Sequence, residues 1–237
     1  MLALTFDATV DLRRSDARHG VGCFETVRVQ AGAARWLGLH RERLAAGCAA
    51  LGLPAPPPEQ ALAAFLAAAL SRLGDGALHL VAVDGALRAS LSAPPPPPAL
   101  PVRVAVAESV TRFSRSPTAG LKTLSFLENR LLQAEAERRG LFDVVARNER
   151  GLLADGGRTN LFLVVGGRVL TPPVSDGALP GIARRVLLEQ GLAAEESLDP
   201  AALEAAEGVF LANALRGVLP VRLDAGGRAA ACGAALR

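Results

Sequence analysis

Of the 26 lysine and arginine residues in this 237-residue chain, one is a lysine, Lys122. Arginine stays protonated in proteins and forms no Schiff base. Lysine forms one with a carbonyl once burial or neighbouring cations lower its pKa. A GC-rich coding sequence drifts lysine toward arginine, and a lysine with only a surface role is replaceable, so the survivor is informative. Lys122 is therefore read as an amine that does carbonyl chemistry, with a chance survivor of that drift as the alternative. It lies in Gly120–Asn129 (GLKTLSFLEN), and three further patterns set other reactive types along the chain. Ahead of it come Gly20–Thr26 (GVGCFET) and His40–Leu44 (HRERL). After it come Leu153–Phe162 (LADGGRTNLF), then Leu179–Arg184 (LPGIAR) with Asn213–Pro220 (NALRGVLP). Asp155 is a carboxylate beside Gly156 and Gly157, a pairing that is also a common turn signal. Gly181 and Ile182 open a helix, whose first N–H groups can point at an anion.

These residues need elements to hold them. Phe24–Gln30 alternates and is rich in β-branched residues, which predicts a strand. Ala31 and Gly32 then turn, and Ala34–Leu37 is a short return strand. Leu39–Leu51 has apolar residues at helical spacing and stops at Gly52. Ala61–Leu73 is a second helix, stopping at Gly74. Leu78–Asp84 and Leu87–Leu91 form a hairpin about Asp84 and Gly85. The cluster Pro54–Pro58 ends one helical stretch, and Ala93–Pro101 (APPPPPALP) excludes helix and central strand and divides the chain. Beyond it, Val102–Val106 is a strand and Lys122–Arg139 a helix closed by Gly140. Asp143–Asn148, Leu161–Val165 and Arg168–Thr171 are strands, the last two paired across Gly166 and Gly167. Ile182–Gln190 is a helix, and Gly208–Ala212 and Val218–Leu223 are late strands. The expectation is a small α+β N-terminal domain over 1–100 and a larger α/β domain over 101–237 that carries Lys122.

Composition narrows the class. No run of 18 apolar residues occurs, so no membrane span is expected. The N-terminus has no basic region followed by an apolar one, so no signal peptide is expected either. The three cysteines, Cys23, Cys48 and Cys232, are odd in number and lack ligand spacing, which fits a cytoplasmic protein with free thiols and no metal. The 26 basic residues are interleaved with 23 acidic ones and tyrosine is absent, so the basic, aromatic face of a nucleic-acid binder is missing.

The four patterns, in this order and with the lysine in its slot, resemble the class IV aminotransferase family, also called PLP fold type IV. The resemblance runs from about Arg18 to about Val221. It implies a D-amino-acid aminotransferase-like α/β fold in two domains, pyridoxal 5′-phosphate (PLP) between them, and a homodimer. It implies that Lys122 holds PLP as a Schiff base and later acts as general base. Asp155 matches the carboxylate at the pyridine nitrogen, where the family usually has glutamate, one methylene longer. Arg43 matches the arginine that grips the phosphate, with Arg41 as the alternative and His40 as a structural residue. Gly181, Ile182 and Ala183 match the phosphate-binding helix start, although the family usually has threonine at the last of these. Asn213 and Ala214 match a second phosphate contact, without the hydroxyl often found there. Phe126 stands where a tyrosine commonly follows the lysine.

The same resemblance bears on the reaction. Asn213–Pro220 is similar to the lyase branch, which converts 4-amino-4-deoxychorismate to 4-aminobenzoate and pyruvate for folate synthesis. Thr26 sits where that branch has a threonine beside the cofactor. The small-molecule substrate carries two carboxylates, for which Arg88, Arg158 and Arg216 are candidates. The alternatives are an aminotransferase acting on branched-chain or D-amino acids, with Lys122 as a proton shuttle, and a PLP-binding homologue with little activity.

Overall fold

A computed structural model of the chain describes residues 1–6, 9–11 and 13–222. Cys232, and Leu223 at the end of the last expected strand, lie outside the described residues. The chain divides into two units, one of residues 1–96 with 121–126 and the other of residues 97–120 with 127–237. Lys122, expected with the second domain, is thus part of the first unit.

The first unit contains β1 (Ala3–Thr5), α1 (Ser15–Arg18), β2 (Cys23–Gln30), β3 (Ala33–Ala34), α2 (Leu37–Ala50), α3 (Glu59–Leu73), β4 (Gly76–Val83) and β5 (Ala86–Ser92). The strands form a five-stranded sheet in the order β1-β5-β4-β2-β3. β2 alternates as its sequence requires: Cys23, Glu25, Val27 and Val29 are buried, while Phe24, Thr26 and Arg28 are only partly so. The buried apolar set meets Leu44 and Cys48 of α2 and Leu62, Leu66 and Leu70 of α3. Burying each leucine contributes roughly 1.5–3 kcal/mol. The β4–β5 hairpin turns through Asp84 at φ 53° and Gly85 at φ 74°, the left-handed pair that matches strand twist. The expected return strand is shorter than its reading, because Leu37 already belongs to α2.

The second unit contains β6 (Val104–Arg112), α4 (Leu127–Arg138), β7 (Asp143–Asn148), β8 (Leu153–Gly156), β9 (Asn160–Val165), β10 (Arg168–Thr171), α5 (Ile182–Glu189), β11 (Ala194–Glu195), α6 (Pro200–Ala205), β12 (Gly208–Asn213) and β13 (Gly217–Pro220). Its sheet runs β11-β10-β9-β8-β7-β6, with β12 pairing β9 and β13. β7, β8 and β9 are buried almost throughout, and of the three only β9 reads as an apolar run in sequence. α4 packs Leu132 and Ala136 onto Val144 and Ala146 of β7. No described helix is long and apolar enough to cross a membrane.

One expected element is corrected. The helix read over Lys122–Arg139 begins only at Leu127. Residues 122–124 are extended and add to the edge of β2: Phe24 N–H donates to the Lys122 carbonyl at 3.0 Å and Leu124 N–H to that of Gly22 at 2.8 Å. Gly22 permits this approach, since a Cβ there would fall 2.6 Å from the Leu124 side chain and 2.7 Å from the Ala82 carbonyl oxygen.

Candidate active site

In the first unit the β2 edge decides where Lys122 points. Its Nζ lies 4.1 Å from the centre of the Phe24 ring and 4.8 Å from that of Phe126. The two rings meet edge to face at 5.1 Å. An ammonium over aromatic faces gains about 0.5–2 kcal/mol, so the two rings help to hold the amine in place. Thr26 lies two residues from Phe24, hence on the same side of β2, and is partly buried.

Glu25 points to the helix side of the same strand and is fully buried. Arg43 on α2 donates to both of its oxygens, Nε at 2.7 Å and one terminal nitrogen at 2.6 Å. His40, one turn earlier, places Nδ1 at 2.7 Å from the carboxylate. Burial pushes the Glu25 carboxyl up, but the Arg43 charge and the His40 and Arg43 hydrogen bonds outweigh it and hold its pKa at about 2. Burial pushes His40 down, so at neutral pH it is uncharged and donates through Nδ1. Arg43 is thereby fixed as a guanidinium with two nitrogens on Glu25. Arg41 instead donates Nε to the Pro57 carbonyl. Arg88 donates to the carbonyls of Thr9 and Val83, at 2.8 and 2.9 Å, and so ties the β4–β5 hairpin.

In the second unit Asp155 sits inside β8, buried, and not in the turn its Asp-Gly-Gly context suggests. One oxygen accepts the Leu179 N–H at 2.8 Å, and the other lies 3.1 Å from a terminal nitrogen of Arg112. Asn160 takes the other side of the same peptide segment, donating Nδ2 to the Leu179 carbonyl at 2.8 Å. Asp155 and Asn160 together hold the strap Leu179–Gly181 that leads into α5. Gly181 allows this close approach, because a Cβ there would fall 1.9 Å from Asn160 Oδ1 and something would have to shift. No side chain caps α5, so the N–H groups of its first turn, at Ile182 and Ala183, are presented to an anion along with the positive end of the helix dipole.

Asn213 closes the β12–β13 turn. Its Oδ1 accepts the N–H groups of Leu215 and Arg216, at 3.1 and 2.8 Å, and its Nδ2 donates to the Arg158 carbonyl at 3.1 Å. Ala214 is carried in that turn. The tie brings the Arg158 and Arg216 segments together, and both guanidinium carbons lie near the Phe142 ring, at 5.6 and 5.8 Å. Burial, and then the Arg158 charge, push Arg216 down from the arginine value. Asp143 underlies this region, fully buried, accepting from Gly157 N–H at 2.8 Å, the Thr159 hydroxyl at 2.8 Å and Arg158 N–H at 3.2 Å. Burial pushes its pKa up against those hydrogen bonds.

The structure thus groups Lys122 with Phe24 and Phe126, and Arg43 with Glu25, in the first unit. In the second it groups Asp155 with the strap into Gly181, Ile182 and Ala183, and Asn213 with Arg158 and Arg216. Arg112, Asp143, Asn160 and Glu25 were not singled out from sequence. Asn160 and Glu25 lie inside quoted patterns, which is a signal for them. Arg112 is one arginine among many and carries none.

The family model for class IV amino-transferases matches residues 22–223. Branched-chain-amino-acid aminotransferase of Escherichia coli K12 is 33% identical over 111 residues, which is 45% of this chain and 36% of that protein. The matched stretch thus spans about a third of that relative's length. Among solved structures, 4-amino-4-deoxychorismate lyase of Pseudomonas aeruginosa superposes with a TM-score of 0.79 at 30% identity, covering 93% of this chain and 90% of that one. A fold IV transaminase of Curtobacterium pusillum superposes at 0.78 with 28% identity, covering 97% and 86%.

Proposed function

Since the chain belongs to the class IV aminotransferase family, we propose that it is a 4-amino-4-deoxychorismate lyase, releasing 4-aminobenzoate and pyruvate for folate synthesis. The family is PLP-dependent, and the fold is that of PLP fold type IV. The residues fit that cofactor. Gly181 lets the chain pass close to Asn160 on its way into α5, a helix with no side-chain cap whose first N–H groups suit a phosphate. Lys122 is the amine for the aldehyde, Asp155 the carboxylate for the pyridine nitrogen, and Arg43 and the N–H groups of Ile182, Ala183 and Ala214 the phosphate donors.

PLP, when bound, supplies an aldehyde that condenses with amines and a ring that withdraws electrons. The chain's own groups do the rest. Lys122 would take the proton from the substrate ring carbon that bears the amine. The C–O bond to the enolpyruvyl group breaks, with its electron pair leaving on oxygen. Thr26 passes a proton to the departing enolpyruvate, which becomes pyruvate. The substrate ring becomes aromatic, and no oxidant is needed.

The observation that carries the lyase reading is the Asn213 turn. It ties Arg158 to Arg216 and gathers two partly desolvated cations near one ring, as a substrate with two carboxylates requires. The likeness to the Pseudomonas lyase over most of both chains supports it. The reading includes a cytoplasmic homodimer. Leu127 and Leu131, one turn apart on α4 and exposed, are apolar surface that a second copy would cover.

The second reading is a branched-chain or D-amino-acid aminotransferase, favoured by the Escherichia coli relative. Incubation of the PLP-loaded protein with aminodeoxychorismate alone separates the two. The lyase releases 4-aminobenzoate without any 2-oxo acid. No release, with turnover of an amino acid plus 2-oxoglutarate, overturns the proposal. A protein that stays colourless after PLP is added would overturn both catalytic readings.

A further inference from the structure

The Asp155 carboxylate does not stand alone. Its second oxygen lies 3.1 Å from a terminal nitrogen of Arg112 at the end of β6, and both side chains are largely buried, 13% exposed for Arg112 and 5% for Asp155. Arg112 is itself immobilised. Its other terminal nitrogen donates to Asn129 Oδ1 at 3.1 Å, and the nitrogen facing Asp155 also reaches the Gly156 carbonyl at 3.5 Å. Glu128, the other carboxylate near it, is at 3.4 Å and half-exposed, so it screens little of the charge. With one oxygen accepting the Leu179 N–H and the other in an ion pair with Arg112, the carboxylate is held from two sides.

We propose that Arg112 is the positioning residue of the Asp155 carboxylate, fixing this short side chain for the pyridine nitrogen of PLP and weakening its hold on a proton there. The proposal rests on the reading that Asp155 faces that nitrogen. Two physical effects follow from one contact. The guanidinium, anchored on Asn129 by one terminal nitrogen and set against Asp155 by the other, fixes where the carboxylate lies, which matters more for aspartate than for a longer glutamate that can reach. The charge of Arg112 offsets the negative potential that stabilises a proton on the ring nitrogen. A tempered carboxylate suits an elimination driven by aromatisation of the substrate, which asks less of the cofactor ring than moving a proton between two unactivated carbons.

The test uses the full-length protein loaded with PLP, in three variants. PLP affinity is read by absorbance titration and the ring-nitrogen proton by 15N NMR of labelled PLP across pH. Arg112→Lys keeps the charge and loses the fork. It should bind PLP about tenfold more weakly with the nitrogen titration unchanged. Arg112→Gln loses both, and should show the same weakening with the titration midpoint moved up by about one pH unit. Wild-type affinity and midpoint in both variants would overturn the proposal. So would equal midpoint shifts in both, which would mean that local disorder and not charge is read. Asp155→Asn separates this from the parent reading. If it leaves the nitrogen signal and affinity as in wild type, Asp155 does not face the nitrogen and the proposal falls with that assignment. If it moves them while the Arg112 variants do not, only the role of Arg112 falls. Should Arg112→Gln not fold, Arg112→Lys decides: weaker PLP with an unmoved midpoint supports the proposal, and unchanged affinity overturns it.

Discussion

Around Glu25 and Lys122 the first unit fixes its groups by side chains on side chains: Glu25 on Arg43 and His40, and the Lys122 amine on the Phe24 and Phe126 rings. The second unit mostly fixes its groups by side chains on backbone. Asp155 and Asn160 grip the two ends of one residue, Leu179. Asp143 holds the Gly157–Thr159 turn, and Asn213 ties Arg158 to Arg216. Charge pairs place a reactive group and set its protonation, so they are exposed to pH and to loss of charge. Backbone ties set the path of a loop whose N–H groups then do the binding, so they are exposed to bulk. Arg112 on Asp155 is a place within the candidate site where the second unit borrows the habit of the first.

The largest effect should come where the first unit has a group with no substitute. Lys122→Ala should lower turnover by ~10⁴-fold or more, since both covalent attachment and proton transfer are lost. The thermal midpoint should stay near wild type, because the side chain is only partly buried. Retention of a tenth of the activity would mean that another group is the base.

Glu25→Gln comes next and tests whether the first unit depends on paired charge. It leaves Arg43 and His40 buried beside a neutral amide. Glu25 is fully buried, and a pKa held at about 2 instead of the ordinary 4.5 corresponds to roughly 3 kcal/mol. The sign follows from the depressed value. This stabilisation is present above about pH 4.5 and is lost as pH falls toward 2, so the loss on substitution should be full at pH 7 and fade in acid. His40, pushed down by burial, adds in the same direction, because the unfolded chain takes up its proton first as pH falls below about 6.5. Denaturant unfolding at pH 7 and pH 3 measures both.

Gly181→Ala tests the second unit by bulk. The added methyl meets Asn160 Oδ1 at 1.9 Å, so either the strap or Asn160 must shift, at about 2 kcal/mol. PLP affinity should fall with stability, as titration and thermal melts would show together. Wild-type affinity would mean that the start of α5 does not serve the phosphate. Asp143→Asn should have a smaller effect, roughly 1 kcal/mol, with the opposite pH trend to Glu25. Its raised pKa means the folded chain keeps a proton that the unfolded chain has lost, so the native carboxyl weakens the fold as pH rises. The loss on substitution should therefore be smaller at pH 7 than at pH 4. A parallel trend in the two variants would erase the distinction between the units.

Much of the fold was legible because periodicity is local. β2 alternates, α3 carries leucines four apart, and the Asp84–Gly85 turn names itself. The segment before α4 misled because Leu121 and Leu124 continue an apolar pattern, while the hydrogen bonds that extend it come from β2, about a hundred residues earlier. Asp155 was legible as a carboxylate at the right place, but its Asp-Gly-Gly context suggests a turn, and only pairing with β7 and β9 makes it a strand. Arg88 read as a substrate ligand in sequence, yet its donors go to two carbonyls of its own unit. Arg112 had no local signal, since its role is defined by a carboxylate on another strand.

The smallest expected effect concerns the aromatic wall behind Lys122. Phe126→Tyr adds a hydroxyl to a partly buried ring whose face lies 4.8 Å from Nζ and whose partner Phe24 is at 5.1 Å. The face of tyrosine attracts a cation about as well as that of phenylalanine, so the placement of the amine should persist. Stability should change by less than about 0.5 kcal/mol. Lyase turnover should stay within about threefold, because the proposed proton transfers use Lys122 and Thr26 and need no phenol. Steady-state kinetics and a thermal melt check this. A rise of tenfold or more would show that the chemistry wants a hydroxyl at this position. The first unit would then supply an apolar wall where a hydrogen-bonding one works better, and its reliance on side-chain pairs would be incomplete at the reactive amine itself.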